Sequence, residues 1–298
     1  MTARRDPRSQ TGPQVTTRFA PSPTGALHLG HAFAALQSHD RARAAGGRFL
    51  LRIEDIDTGR SRPEHVQGIL DDLRWLGIDW DGEVVFQSRR RALYADALEA
   101  LKRQGLLYPC FCTRADIARE VAASASAPHG PDGVRYPGTC RHLPPDPARL
   151  AQPHAWRIDM ARAVERTGPL TWADEIAGAQ AADPLAAGDV VLARKDAGTS
   201  YHLAVTVDDA AQGVSHVVRG VDLFHATHIH RLLQALLGLP VPVWRHHPLL
   251  TDAQGRRLAK RDGAPALALL RAQGIDGGTL ADDLRAGRLP LGIAGASA

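Results

Sequence analysis

The chain has 298 residues, 44% hydrophobic and 23% charged, with a formal charge of +4. That is an ordinary globular composition, long enough to bury a large core as one elaborate domain or two smaller ones. It contains no apolar run of about eighteen residues, which excludes a helical membrane span. Residues 1–14 are polar and rich in Arg and Pro, without the apolar stretch of an export signal, so a disordered lead and a cytoplasmic address are expected. The positive charge is compatible with a polyanionic partner without proving one. Lysine occurs only at positions 102, 195 and 260, so a lysine within a motif is more informative than any single arginine.

In chain order, a short strand is expected over residues 15–20, then a turn punctuated by Pro and Gly. A helix follows in which Leu29, Phe33 and Leu36 recur at helical spacing, ending near Gly46 and Gly47. Residues 48–53 (RFLLRI) read as a buried strand, followed by the acidic tip Glu54-Asp55-Ile56-Asp57. Pro63 suits a first helical turn, and Val66, Ile69, Leu70, Leu73 and Leu76 form one apolar stripe closed by Gly77. A third helix is predicted from Ser88 as N-cap, through Leu93, Ala97, Leu98 and Leu101, to Gly105. This alternation of strand and helix predicts a parallel α/β sheet.

From Tyr108 to about Gly188 the periodicity fades, with an Ala/Ser/Pro/Gly stretch at 122–133 and a proline-rich one at 142–153. It returns with strands expected at 190–192, 203–207 and 215–218. A helix then carries Ile229, Leu232, Leu233, Leu236 and Leu237 up to Gly238. The expected organisation is a lead (1–14), a first half of a doubly wound α/β domain (15–108), an insertion (109–188), the second half (189–250), and a basic loop with a short C-terminal segment (251–298). Ligands of such sheets bind at the carboxyl ends of the strands, where the strand order reverses.

The most informative segment runs from Arg18 to His31, RFAPSPTGALHLGH. Its turn leads to a helix N-terminus, where backbone N–H groups and the dipole favour an anion. Gly25 and Gly30 have no Cβ and permit close approach of a phosphate. His28 and His31 are expected one turn apart on one helix face, placed to donate to phosphate oxygens. The segment resembles the HIGH signature of the class I aminoacyl-tRNA synthetases, in the form RFAPSPTGxLHLGHA of the glutamyl branch. That resemblance implies a Rossmann-type catalytic domain that activates an amino acid with ATP and Mg²⁺. It assigns ATP binding to His28, Gly30, His31 and Lys260, and catalysis to His28, His31 and Lys260. Lys260 lies in Arg256-Arg257-Leu258-Ala259-Lys260-Arg261, which occupies the position of the family's KMSKS loop. The first lysine of that loop is Arg257 here and the serine is Ala259. One hydroxyl contact is lost but the cation is retained, so catalysis is expected to survive.

Arg18 and Glu54 end the first two strands and face one crevice. An acidic amino acid brings two carboxylates and an ammonium, so its pocket needs guanidinium donors and a carboxylate acceptor. Tyr201 opens YHLAVTVDD, expected as a strand, and Arg219 ends the strand in VVRGVDL. Both stretches resemble glutamyl-family segments. The resemblance implies that Arg18, Phe19, Ala20, Pro21, Ser22, Glu54, Tyr201 and Arg219 bind L-glutamate. Ala20 after Phe19 favours the glutamyl over the glutaminyl branch.

Three cysteines, two of them at Cys110 and Cys112, argue for metal over a disulfide framework. Zinc takes four tetrahedral ligands, so three thiolates leave one vacancy. His142 and His129 are the conventional candidates, and Tyr136 is an unusual one because a phenol must lose its proton to bind. The run Tyr136 to Cys140 resembles the CxC…YxxxC site of a short branch of the family. That likeness implies one structural Zn²⁺ on Cys110, Cys112, Tyr136 and Cys140.

After Gly263 only one helix-like stretch, 264–273, precedes a Gly/Ala-rich end, so no anticodon-binding domain is expected. This pattern resembles the branch that attaches glutamate to queuosine in the anticodon of tRNA(Asp). The implied partners are L-glutamate, ATP and queuosine-bearing tRNA(Asp), with no membrane and a monomeric chain. The alternatives are a short enzyme charging the tRNA 3′ end and a non-catalytic tRNA-binding protein. Arg257 and Ala259 lean towards the last; His28, His31, Glu54 and Lys260 lean against it.

Overall fold

The computed structural model describes residues 14–123, 129–130, 133–144, 146–252, 265–288 and 293–294. Strands β1 (Thr16–Phe19) and β2 (Arg48–Ile53) run parallel, with Arg18 opposite Leu50. Strand β3 (Val85–Phe86) adds in parallel beyond β2. Alternation along β2 sends Phe49, Leu51 and Ile53 into the core formed with α1 (Leu29–Ala44) and α2 (Pro63–Trp75). Leu50 and Arg52 therefore point to the other face. Helix α3 (Arg91–Arg103) starts later than expected, after a 3-10 turn over Gln87–Arg89. Ser88 is not its cap. Its N–H and hydroxyl both donate to the Asp55 carboxylate, at 2.8 and 2.6 Å, and so pin the acidic tip after β2.

The middle segment holds β4 (Leu107–Cys110), α4 (Arg114–Ala123), the short pair β5 (His129–Gly130) and β6 (Gly133–Val134), and α5 (Pro147–Leu150). Next come β7 (Ala155–Ile158), α6 (Met160–Thr167), the hairpin of β8 (Thr171–Asp174) with β9 (Gly178–Ala181), and β10 (Val191–Ala193). Strands β10, β7 and β4 form a small antiparallel sheet. The β8–β9 hairpin instead hydrogen-bonds to β12 of the second parallel set.

That set consists of β11 (His216–Gly220) and β12 (Val243–His247), parallel to each other. Helices α7 (Tyr201–Ala211) and α8 (Ala226–Leu237) flank it. Residues 201–209, expected as a strand, are helical. Val205, Thr206 and Val207 suggest a strand by their β-branched side chains, but local chemistry favours the helix. The Ser200 hydroxyl caps it by accepting from the Leu203 N–H, and Thr206 Oγ1 donates back to the His202 carbonyl at 2.7 Å. The helix is buried from Leu203 to Asp209, so no amphipathic period marks it in the sequence.

Strand β11 lies alongside β1. The Ser215 N–H donates to the Thr16 carbonyl at 3.0 Å, and Ser215 Oγ accepts from the Thr16 N–H at 2.8 Å. The spatial order is thus β3-β2-β1-β11-β12-β8, parallel throughout, with β9 antiparallel at the edge. The chain turns outward in opposite directions from β1 and β11, so the switch point lies between them. Helices α1 and α2 cover one face, and α3, α7 and α8 the other. Strand β13 (Thr251–Asp252) pairs with β14 (Ile293–Ala294), and α9 (Leu267–Ala272) falls within the expected 264–273. No described helix is long and apolar enough to cross a membrane.

A last helix, α10 (Gly277–Arg285), was not anticipated in the Gly/Ala-rich end. Leu280, Ala281 and Leu284 join the core of α1 and α2. Gly277 is required by closeness: a Cβ there would lie 2.0 Å from the Trp75 carbonyl oxygen at the end of α2. Gly277→Val should therefore cost about 1–3 kcal/mol through overpacking. Thermal unfolding reads this as a lowered Tm, and an unchanged Tm would contradict the docking of α10.

Candidate active site

The carboxyl ends of β1, β2, β11 and β12 open into one cavity of about 580 Å³. Arg18 and Phe19 end β1, Arg219 stands one residue before the end of β11, and His247 ends β12. The Pro21 carbonyl accepts from the Glu54 N–H at 3.0 Å, tying the turn after β1 to the tip of β2. Arg18, Phe19, Ala20, Pro21, Ser22, His28, Gly30, His31, Glu54, Tyr201 and Arg219 all line this cavity. Tyr201 does so from the first turn of α7 and not from a strand end. Lys260 and its loop, 256–263, lie outside the described residues. Ala266, six positions after Lys260, forms a β-bridge with His28.

The two histidines lie side by side at the start of α1. His28 is the N-cap of α1 and His31 its third residue, and together they form a capping box. The Gly30 N–H donates to His28 Nδ1 at 3.1 Å, and the His28 N–H to His31 Nδ1 at 3.2 Å. The rings lie 3.8 Å apart between centroids. Because each Nδ1 accepts a hydrogen bond from a backbone N–H, each ring carries its own proton on Nε2. The Gly30 amide is satisfied by His28. The donors offered to an anion are then the imidazoles.

Below the cavity floor lies an ion cluster that includes residues given no role by the sequence. Asp209 accepts from Arg18 Nε at 3.0 Å, Arg18 Nη2 at 3.3 Å and Arg52 Nη1 at 2.8 Å. Asp208 accepts from Gln87 Nε2 at 2.9 Å, Arg90 Nε at 2.6 Å and the Tyr94 hydroxyl at 2.7 Å. Arg52 Nη2 donates to Glu54 Oε1 at 3.3 Å. Burial pushes the Asp209 carboxyl up, but Arg18 and Arg52 outweigh it and the net shift is downward. For Glu54 burial prevails over Arg52 and Arg18, and the shift is upward. The signals that could have found this cluster are an arginine inside the apolar run RFLLRI and an Asp doublet ending an apolar stretch.

Arg219 is different. It is 5% exposed, and no carboxylate is among its hydrogen-bond partners in the described residues. Nε donates to His246 Nε2 at 3.1 Å, and Nη2 to Thr227 Oγ1 at 2.6 Å and the Leu223 carbonyl at 3.0 Å. Nη1 has the two longest bonds, 3.3 Å to His230 Nδ1 and 3.4 Å to the Tyr201 hydroxyl. Burial, reinforced by the Arg219 charge, pulls His202 and His246 down to about 4 and His230 well below the usual imidazole range. Of the three, His230 and His246 touch Arg219, and both are kept neutral, so the guanidinium charge is held by neutral acceptors.

Away from this cavity, Cys110, Cys112 and Cys140 bring their sulfurs within 4.8 Å of one another. Cys112 Sγ lies 3.5 Å from Cys140 Sγ. In a tetrahedral zinc site the sulfurs stand about 3.8 Å apart, given a Zn–S bond of about 2.3 Å. The Tyr136 hydroxyl points into the same space, 3.5 Å from Cys110 Sγ and 3.7 Å from Cys112 Sγ, and accepts from the Cys140 N–H at 2.8 Å. His142 is exposed and does not join the group; the His129 side chain lies outside the described set. Burial pushes the Cys112 thiol up to about 12. Three converging sulfurs, those of Cys110 and Cys140 buried and that of Cys112 half-buried, with one oxygen donor suit a soft cation, and this cluster could bind a metal ion.

Fold and site together define an α/β catalytic domain of the synthetase kind. Residues 14–279 match the family described as tRNA synthetases class I (E and Q), catalytic domain. The glutamyl-Q tRNA(Asp) synthetase of Rhodobacter capsulatus is 58% identical over 87% of this chain and 96% of its own length. That of Symbiobacterium thermophilum is 48% identical over 90% and 84%. Among solved structures, the glutamate-tRNA synthetase of Elizabethkingia anophelis superposes with a TM-score of 0.72 at 30% identity. The match covers 84% of this chain but only 53% of that one, so the chain spans about half its length. The chain belongs to the class I tRNA synthetases for glutamate and glutamine and, within them, to the glutamyl-Q tRNA(Asp) synthetase family. Members of this class are ligases.

Removing the charge of Asp209 leaves Arg18 and Arg52 buried without their shared partner. Asp209→Asn is expected to cost about 3–5 kcal/mol, read by denaturant unfolding at pH 7. Because the folded carboxyl sits below its ordinary value, its contribution is present above the unfolded pKa, about 3.9. It is lost as pH falls through the lowered folded value. The stability gap between native protein and variant should narrow only in that acid range.

Proposed function

We propose that the chain activates L-glutamate with ATP and transfers it to the queuosine nucleoside of tRNA(Asp). The observation that carries this reading is Arg219, a buried cation with no carboxylate hydrogen-bonded to it among the described residues, in a cavity shared with the histidines that cap α1. Such a cation suits the side-chain carboxylate of an incoming acidic amino acid. Glu54 is placed to accept from its ammonium. Arg18, its charge shared with Asp209, lines the same space. The name carried by the similar proteins supports queuosine as acceptor.

In the first step an α-carboxylate oxygen attacks the α-phosphorus of ATP in line, and the bond to pyrophosphate breaks. The products are glutamyl-adenylate and pyrophosphate. Mg²⁺ accompanies the nucleotide and shares its charge. The Nε2–H groups of His28 and His31 are assigned to the phosphate oxygens on which charge develops, with Lys260 as the cation that joins them. No protein nucleophile is required, so positioning and electrostatics supply the catalysis. A queuosine hydroxyl then attacks the adenylate carbonyl, the ester forms, and AMP leaves with release of the hydroxyl proton. We assign residues 109–188 as the metal-bearing insertion, with Cys110, Cys112, Cys140 and Tyr136 holding one Zn²⁺. With four protein ligands there is no open position, and the ion is structural.

ATP–pyrophosphate exchange with glutamate tests the activating site without RNA. Replacing Glu54 by Gln should cost about 2–5 kcal/mol of binding, a loss in exchange efficiency of about thirtyfold or more. Normal exchange in the folded variant would reject this pocket. Labelled glutamate should be retained on tRNA(Asp) only when queuosine is present, and should map to the anticodon fragment. Label on the 3′-terminal fragment would instead establish the charging enzyme. Purified protein should carry about one equivalent of zinc, and Cys110→Ser should release it. Unchanged zinc content would reject the ligand set.

A further inference from the structure

With no carboxylate to grip among the described residues, the Arg219 guanidinium needs another contact to fix its plane. The answer lies one residue behind it. Arg219 Nε donates to His246 Nε2 at 3.1 Å, which requires that nitrogen to carry a lone pair. The ring proton must then sit on Nδ1, and Nδ1 lies 2.7 Å from Asp174 Oδ2. Asp174 is itself fully engaged. Oδ2 also accepts from the His246 N–H at 3.1 Å, and Oδ1 accepts from the Ile176 and Ala177 N–H groups, both at 2.8 Å. Trp172 and Phe224 wall the imidazole, with ring centroids 5.9 and 5.0 Å away.

We propose that Asp174, acting through His246, is a positioning residue for the side-chain carboxylate of the amino-acid substrate, and sets the preference for the acid over its amide. The inference rests on the assignment of Arg219 given above. Asp174 locks the imidazole with its proton on Nδ1, so Nε2 always accepts from Arg219 and the guanidinium keeps Nη1 towards the cavity. Direct contact between Asp174 and Arg219 would hold the guanidinium equally well but would neutralise it. One imidazole between them keeps the orientation and leaves the full positive charge for the substrate. The residue comes from the β8–β9 hairpin, within the segment expected as an insertion. That hairpin thereby takes part in amino-acid selection.

Asp174→Asn tests the relay. The amide oxygen can still accept from Ile176 and Ala177, which turns its NH2 towards both His246 Nδ1 and the His246 N–H, whose own bond is lost. The ring must then move its proton to Nε2, where it meets the Arg219 Nε–H. In ATP–pyrophosphate exchange the KM for glutamate should rise about tenfold or more, with kcat and the KM for ATP within about threefold. The preference for glutamate over glutamine should fall in parallel. ¹⁵N-histidine NMR of the native protein should show His246 protonated at Nδ1 alone, and the variant should show the proton on Nε2. Should Asp174→Asn fail to fold, His246→Gln against His246→Leu gives the same answer: Gln keeps an acceptor for Arg219 and should retain most glutamate affinity, whereas Leu should lose it. A glutamate KM unchanged within about twofold in folded Asp174→Asn or His246→Leu would overturn the proposal. So would native His246 protonated at Nε2. Arg219→Ala separates the two failures. If it too leaves the glutamate KM unchanged, the pocket assignment falls; if it alone raises that KM, only the relay does.

Discussion

Two arginines project from neighbouring strands onto the same face of the central sheet, and the rest of the architecture answers to their burial. Arg18 is 5% exposed and Arg52 is wholly enclosed. Charges taken that far out of water are tolerated only when paired and hydrogen-bonded. The partners arrive on α7, whose last turn carries Asp208 and Asp209. Carboxylates at a helix C-terminus work against its dipole, so neither side of this contact is comfortable alone. Together they fix α7 across β1 and β2, and Tyr201 at its other end is thereby set at the cavity.

The same charges explain the chemistry of the pocket. Arg18, Arg52 and Arg90 are met by Asp208, Asp209 and Glu54, three guanidinium groups against three carboxylates. Arg219 stands outside that balance, surrounded by imidazoles, hydroxyls and a carbonyl. A buried cation that is oriented but not neutralised keeps its attraction for an incoming acid. Glu54 is the complementary case. Its carboxyl is pushed up by burial and held by one long bond to Arg52, so it gains from the arrival of an ammonium.

Elements with a clear period or a firm stop were legible in the sequence. Strands β1 and β2 and helices α1, α2 and α8 fall where alternation, Pro63, Gly77 and Gly238 put them. Helix α7 was misread because it is buried on nearly every side, which erases the helical period and leaves a β-branched run to mislead. Helix α10 was missed because its opening Gly277-Gly278 looks like a flexible tail, whereas Gly277 answers to the carbonyl of Trp75. The cavity residues were legible as a set because they cluster in short motifs at strand ends and, for His28, His31 and Tyr201, at helix starts. Arg52, Asp174 and His246 were not. Their roles exist only across separations such as the 72 residues between Asp174 and His246, and no local pattern encodes such a pairing.

Two groups of histidines show how the fold chooses protonation states without relying on solution pH. At the rim, backbone N–H groups of the first turn of α1 occupy Nδ1 of His28 and His31. The capping geometry that starts the helix therefore also decides which nitrogen of each ring carries its proton. In the interior, Asp174 does the reverse for His246 by accepting from Nδ1, which frees Nε2 to receive Arg219. One arrangement produces donors where the proposed function puts anionic oxygens. The other produces an acceptor where a cation must be aimed. Both are built from bonds that also stabilise the local backbone, so a substitution that loosens the first turn of α1 or the β8–β9 turn would disturb proton placement before it disturbed the fold.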